Sequence, residues 1–315
     1  MSEAAFPVEQ ARVRHPRLGY GMAAAAALLW GINGAVSKTI LESGLSSERL
    51  AELRSFGAAA GLLAIVAVAR PVRLRIARHE LPYLLAFGVA GLAFVQWFYF
   101  LAIHRLAIGV ALLIEYLAPL LVALWARFVY HEHVRRRIWA ALALSLTGLA
   151  TIVNIFGGGT SLSTAGIAFA LAGAVAYAVY VLLAEHVVGG RDPVSLLGYG
   201  FLFAALFWSL LAPLWTYPGA HLTRSTSLFG HLASVHAPVW TLAAWMIVLG
   251  TIVPFFLLVS ALRHLSASRV AIVAMLEPVA GAFVAWAWLG ESLDGLQLAG
   301  AAIVLAGIGL AQTAR

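Results

Sequence analysis

No cysteine occurs among the 315 residues, and only 10% of them are charged, with 13 Asp and Glu against 20 Lys and Arg. The first absence excludes disulfides, thiolate metal centres and thiol redox chemistry together. The second excludes an ordinary water-soluble surface, for which roughly a quarter of the residues are normally charged. Apolar residues take the place of charge: 63% of the chain is hydrophobic and the mean hydropathy is +0.94. Such a chain is a membrane protein.

Apolar stretches of about 20 residues, long enough to cross a hydrocarbon layer of about 30 Å, recur from one end of the chain to the other. Ten spans are predicted, over 18–40, 49–69, 81–103, 107–129, 136–156, 164–186, 194–216, 239–261, 266–289 and 295–313. The runs are continuous rather than alternating and too long for barrel strands, so the fold class is an all-α membrane protein. "RVRHPR" ahead of the first span resembles the start of a signal peptide, but the span is read as a structural helix because its partner in an internal repeat lies deep in the chain.

The net charge of +7 suggests nucleic acid until its distribution is considered. With the N-terminus in the cytoplasm, Arg12, Arg14, Arg17, Arg70, Arg73, Arg75, Arg78, Arg135, Arg136, Arg137, Arg191, Arg263 and Arg315 all fall in alternate connections. The opposite connections hold only Arg49, Arg105 and Arg224, while Lys38, Arg54, Arg127 and Arg269 lie within spans or at their ends. This is the positive-inside asymmetry, so both termini are expected in the cytoplasm, the partner is the lipid bilayer, and no nucleic acid is expected.

Laying "LAIHRLAIGVALLIEYLAPLLVAL" beside "VSALRHLSASRVAIVAMLEPVAGAF" aligns Pro119 with Pro278. The same offset pairs Gly91 with Gly250, Leu106 with Leu265, Leu117 with Leu276, Glu132 with Glu291 and Gly148 with Gly307. The chain therefore reads as a short cytoplasmic segment over 1–17, a five-helix unit over 18–156, an external linker over 157–163 and a second five-helix unit over 164–315. Five is odd, so the second copy crosses the membrane in the opposite sense. The charges agree: "HEHVRRR" follows the fourth span, whereas "LGESLDG" after the ninth has no Lys or Arg. Inverted repeats with a site between them at mid-depth are the architecture of secondary transporters.

These residues resemble the drug/metabolite transporter superfamily, in particular its ten-helix EamA-type exporters. "ALLWGINGAVSK", Arg54 in "ELRSFGAAAG" and "MLEPVAGAFVAWAWLGESL" carry the resemblance, which extends over almost the whole chain. "FYFLAIHRLAIGVALLIEYLAPLLVAL" is similar to the branches exporting threonine, homoserine and aromatic amino acids, where a Glu precedes the proline of the fourth span. The resemblance implies a bacterial inner-membrane carrier moving small metabolites outward. The superfamily's small four-helix multidrug members depend on a Glu in their first helix; the first span here has none, so their proton-exchange scheme does not carry over.

Glu115 falls about eight residues into its span, roughly 12 Å deep at 1.5 Å per residue. An acid there is neutral, paired or facing water, which makes it a candidate proton carrier or a partner for a substrate ammonium; the competing reading is a protonated acid bonded to a neighbouring helix. Glu277, also near mid-depth, precedes Pro278 and is not the register mate of Glu115, which pairs with Ala274. Substrate contact competes with a gating or structural role. Pro119 and Pro278 each remove a helical hydrogen bond and free the carbonyl of Glu115 or Ala274, giving kinks that either shape the site or merely pack.

Trp30, Asn33, Gln96, Trp97, Tyr99 and Tyr116 are expected to line a cavity from the first half, facing Tyr177, Tyr180 and Tyr199 from the second. Lys38, Glu52 and Arg54 lie toward the outer ends of the first two spans. Arg54 is a candidate for a substrate carboxylate or an external gate, with snorkelling to the interface as the alternative.

"HEH" at 131–133 lacks the spacing of a zinc helix, and "GGGTSLST" lacks the Lys of a phosphate loop, so neither a metal nor a cofactor is expected. His221, His231 and His236 in the stretch 217–238 leave a metal or lid site open, against an ordinary loop. The expected function is a secondary transporter, not an enzyme, that exports neutral amino acids or related small metabolites, with proton coupling through Glu115 and a monomer sufficing. The alternatives are a multidrug or uptake carrier on the same fold and, more remotely, a lipid-acting membrane enzyme, for which the isolated Asp192 and Asp294 offer no acid cluster.

Overall fold

A computed structural model describes residues 15–103, 105–106, 108–153, 163–187, 191–213, 216–290 and 295–313. Residues 1–14, the linker except Ser163, and Glu291, Asp294 and Arg315 lie outside the described residues.

Ten helices follow one another among the described residues. They are α1 Pro16–Glu42, α2 Ser47–Ala69, α3 Leu81–Ala86 continued by Phe87–Ala93 and Phe94–Ile103, α4 Ile108–Glu115 resumed as Ala118–Phe128, and α5 Arg136–Ile152. Then come α6 Thr164–Val187, α7 Pro193–Leu211, α8 Val239–Ala261, α9 Ala267–Leu289 and α10 Gly295–Thr313. All but α5 have the length and hydropathy of a membrane crossing among the described residues, and α5, at 17 residues, lies at the short limit of what spans a bilayer. The chain is thus an all-α, multi-pass membrane protein. The only strands among the described residues are β1 Ser225–Ser227 and β2 His236–Pro238, an antiparallel pair in the connection between α7 and α8. Helix α7 stops short of the expected 216 because Pro213 drives Ala212 out of the helical region, to φ −138° and ψ 88°.

The two prolines interrupt their helices at matching places. In α4 the break falls on Tyr116 and Leu117, where the Leu117 N–H reaches back only to Ile114 O. In α9 it falls on Met275, whose N–H bonds Ile272 O. Each break lies just past the residue four before its proline, where the ring has no N–H to offer and displaces the carbonyl. The π-helical stretches Phe87–Ala93 in α3 and Val248–Ile252 in α8 correspond at the same offset as the prolines.

Helices in lipid gain little from the hydrophobic effect and associate through close packing of small residues. The seam between α5 and α10 is of this kind. A Cβ on Gly148 would lie 2.6 Å from Gly300 O, and one on Gly300 would lie 2.7 Å from Gly148 O and 2.8 Å from Ile152 N. Backbone cannot yield as a side chain can. Gly300→Val is therefore expected to cost about 3 kcal/mol, the upper part of the overpacking range, and to lower the detergent unfolding temperature. An unchanged temperature would remove the close-packed seam as a source of stability.

At the end of the bundle near His15, α1 closes against the turn between α8 and α9. A Cβ on Gly19 would meet Leu265 Cγ at 2.7 Å, and the His15 N–H donates to His264 Nδ1 at 3.4 Å. Desolvation and the charges of His15 and Arg263 hold the His264 imidazole below its usual pKa, which suits Nδ1 to accept. Glu185 Oε1 accepts the Ala267 N–H at 2.7 Å, capping the start of α9 where the Ser266 side chain does not. The Gly19 contact has a double on the second half, where a Cβ on Gly166 would meet Leu106 Cγ, again at 2.7 Å.

Candidate functional site

A cavity of about 730 Å³ runs from mid-bundle to the end where Glu42 and Leu289 lie. Its α1 wall starts at Trp30 and its α9 wall at Glu277, so nothing from the His15 end of either helix lines it. It is open to one face and closed toward the other.

The structure brings most of the predicted residues together here. Trp30, Asn33, Lys38, Arg54, Gln96, Tyr99, Glu115, Tyr116, Tyr177, Tyr180, Glu277 and Pro278 all line it. Trp30 and Asn33 lie three apart on one face of α1, and Tyr177 and Tyr180 repeat that spacing on α6. Two glycines of the π-helical stretches face them: a Cβ on Gly250 would collide with Asn33 Oδ1, and one on Gly91 would meet Tyr180 Cβ at 3.2 Å.

Three of the expected residues are placed elsewhere. Tyr199 lies at the other end, its hydroxyl donating to Leu74 O at 2.6 Å and its ring 5.1 Å from the Arg191 guanidinium. Trp97 packs among Phe94, Phe98 and Phe207, on the face of α3 turned from the cavity. Pro119 is buried behind the break in α4 and does not line the cavity. Four residues of unbroken helix would keep Pro119 on the face of Glu115, but the break at Tyr116 and Leu117 lies between them and takes it off that face.

The chemistry concentrates at the closed end. The Tyr116 hydroxyl donates to Glu277 Oε2 at 2.7 Å, joining the interruption of α4 to that of α9. Arg54 and Glu277 lie within Coulombic reach of each other, as do Glu115 and Glu277. The Arg54 guanidinium sits 5.6 Å from the Phe255 ring centroid, so the side chain turns inward. Glu115 makes no side-chain hydrogen bond with a described residue.

Phe255 is central and carries no sequence signal. Its ring meets Trp30 at 5.0 Å, Tyr180 at 5.7 Å and Phe201 at 5.1 Å, all edge-on. Glu52 does not pair with Arg54; it accepts from Arg49 at 2.7 Å, and Arg49 also donates to Ala212 O, Pro213 O and the Thr216 hydroxyl, holding α2 to the end of α7. His221, His231 and His236 form no metal-binding group among the described residues. Instead His231 Nδ1 lies 3.1 Å from Ala287 O, and Trp288 Nε1 donates to Leu228 O at 2.8 Å, docking the hairpin connection on the end of α9. Asp192, isolated in sequence, caps α7 by accepting the Ser195 N–H at 3.0 Å and lies 3.9 Å from Arg73.

The EamA-like transporter family model matches residues 17–154 and again 164–313. The chain belongs to that family. This EamA-like protein is accordingly a membrane transporter of small molecules and not an enzyme. It is 28% identical to a threonine/homoserine exporter, RhtA, of Salmonella typhimurium, over 82% of this chain and 80% of that one. It is 26% identical to a probable amino-acid metabolite efflux pump of the same species, over 89% and 90% of the two chains. A solved crystal structure at 19% identity superposes with a TM-score of 0.74, covering 93% of this chain and 96% of its own, which establishes the shared fold.

Proposed function

We propose that this EamA-like protein exports neutral amino acids or related small metabolites across the bacterial inner membrane, with both termini in the cytoplasm. The halves 18–156 and 164–315 act as inverted repeats, and exchanging their conformations turns the cavity from one face to the other. One observation carries the reading: Glu115, Glu277 and Arg54 meet at mid-depth at the blind end of a cavity open on one side. A substrate ammonium fits Glu115, and the aromatic walls accept the rest of a small organic body.

A proton on Glu115 is the counter-ion in this reading, since the inward gradient then drives cargo outward. The interrupted α4 and α9 supply the bends, with Pro119 and Pro278 as their cause and Lys38 at the mouth. The amino-acid exporters among the relatives support the cargo class.

Counterflow into vesicles reconstituted with the protein, across the twenty amino acids and their carboxamides, tests this. Exchange of at least one amino compound, saturable and absent from protein-free vesicles, is the expected result. If none is exchanged, the amino-compound reading fails.

A further inference from the structure

We infer that the cavity favours cargo carrying one net positive charge, an amine whose carboxyl group is missing or blocked, and exchanges it one for one with a proton. The inference rests on the transport reading above and narrows it from amino acids to their carboxyl-free or carboxyl-blocked relatives.

The charges that line the cavity do not sum to zero. Among the described residues, Lys38, Glu42, Arg54, Glu115 and Glu277 are the charged ones lining the cavity. Lys38 and Glu42 are exposed at the mouth, four apart on α1, where they cancel and water screens them. Arg54, Glu115 and Glu277 remain at the blind end, two carboxyls against one guanidinium. Ionised, the three sum to −1, and a buried charge with no partner is costly in a low-dielectric site.

Two kinds of visitor bring the sum to zero: a proton or a monocation. A zwitterion does not, because its own charges cancel. Its carboxylate would also compete with Glu277 for Arg54, already placed within reach of Glu277 and over Phe255. The other polar groups near the acids, the hydroxyls of Tyr99, Tyr116 and Tyr177 and the Gln96 amide, bring no formal charge.

The walls suit a cation as well. Trp30, Tyr99, Tyr177, Tyr180 and Phe255 surround the blind end, and aromatic faces attract ammonium groups. Glu277 is held by Tyr116 and faces Arg54, whereas Glu115 has no hydrogen bond to a described residue, so Glu115 is the carboxylate that the cation meets.

Proton and cation therefore compete for one negative charge, and that competition is the coupling. On the open side the cation leaves Glu115 for bulk water and a proton takes its place. After the carrier turns, the proton passes to water on the other side as the next cation binds. One cation moves out for one proton in, and no net charge crosses.

The test uses wild-type protein in vesicles with L-threonine and L-threoninamide, at about pH 6, where the amide's α-amine, with a pKa of about 7.7, is mostly a cation. Threonine is chosen because a relative is named for it. The amide is expected to exchange at least tenfold faster than threonine, at a rate unchanged when valinomycin and potassium clamp the membrane potential at zero. Threonine exchanging as fast as the amide, or amide exchange that follows the potential, overturns the inference and leaves the transport reading standing. Movement of neither compound, in vesicles that exchange no other amino compound, overturns both.

Discussion

Glu115→Gln is expected to abolish coupled export while leaving a protein that purifies with the wild-type elution profile. Glutamine keeps the volume and a hydrogen-bonding carbonyl but removes the negative charge. An ammonium–carboxylate hydrogen bond contributes about 1.5–3 kcal/mol against about 0.5–1.5 kcal/mol for a neutral acceptor, so affinity should fall roughly tenfold. Any residual flux should lose its dependence on a pH gradient, since the proton has no group left to ride on. Proteoliposomes loaded with substrate and given an imposed gradient read both effects. Wild-type rates with wild-type pH dependence would remove Glu115 from the mechanism and leave Glu277 as the acid to test. The fold should tolerate the change, because Glu115 makes no side-chain hydrogen bond with a described residue that the substitution would break.

Arg191→Ala is expected to have the largest effect on stability. Arg191 is only 5% exposed, and its guanidinium donates to Glu80 Oε2 at 2.9 Å, Arg73 O at 2.7 Å and Ser195 Oγ at 2.6 Å while lying over the Tyr199 ring. It ties the connection between α2 and α3 to the start of α7. Removing one partner of a mostly buried ion pair strands the other, and such truncations cost about 3–5 kcal/mol. Thermal unfolding in detergent should show the loss. Arg191→Lys should recover only part of it, because one ammonium cannot reproduce three donors fanned in a plane. A variant as stable as wild type would mean that the connection is held by other contacts.

Arg191 and Arg49 have related positions, one beside the start of α7 and one in the first turn of α2, and each holds its helix to the far end of the other. Neither role was legible in the sequence. There they read only as charges in a connection, and their partners lie far along the chain: Glu80 for Arg191, and Ala212, Pro213 and Thr216 for Arg49. The opposite holds for Pro119 and Pro278. A proline's effect on its own helix is local, so the interruptions of α4 and α9 could be placed within a residue or two before any packing was known.

The site divides in the same way. Depth along a span is a matter of counting at 1.5 Å per residue, so Glu115 and Glu277 were found by position alone. Direction around the helix axis is not so easily counted in a chain that is apolar on every side, because lipid and a membrane-protein core are equally oily. That is why Trp97 and Tyr199 were grouped with Tyr99 and Tyr180, and why Phe255 passed unnoticed. The long apolar runs, the repeat and the presence of an acid inside each of two spans follow from the sequence, since each depends on composition or on spacing along the chain. Which face of each helix meets the cavity, that Tyr116 reaches Glu277 rather than Glu115, and that the cavity opens on one side were decided only when the helices packed, because each of these depends on residues brought together from distant parts of the chain.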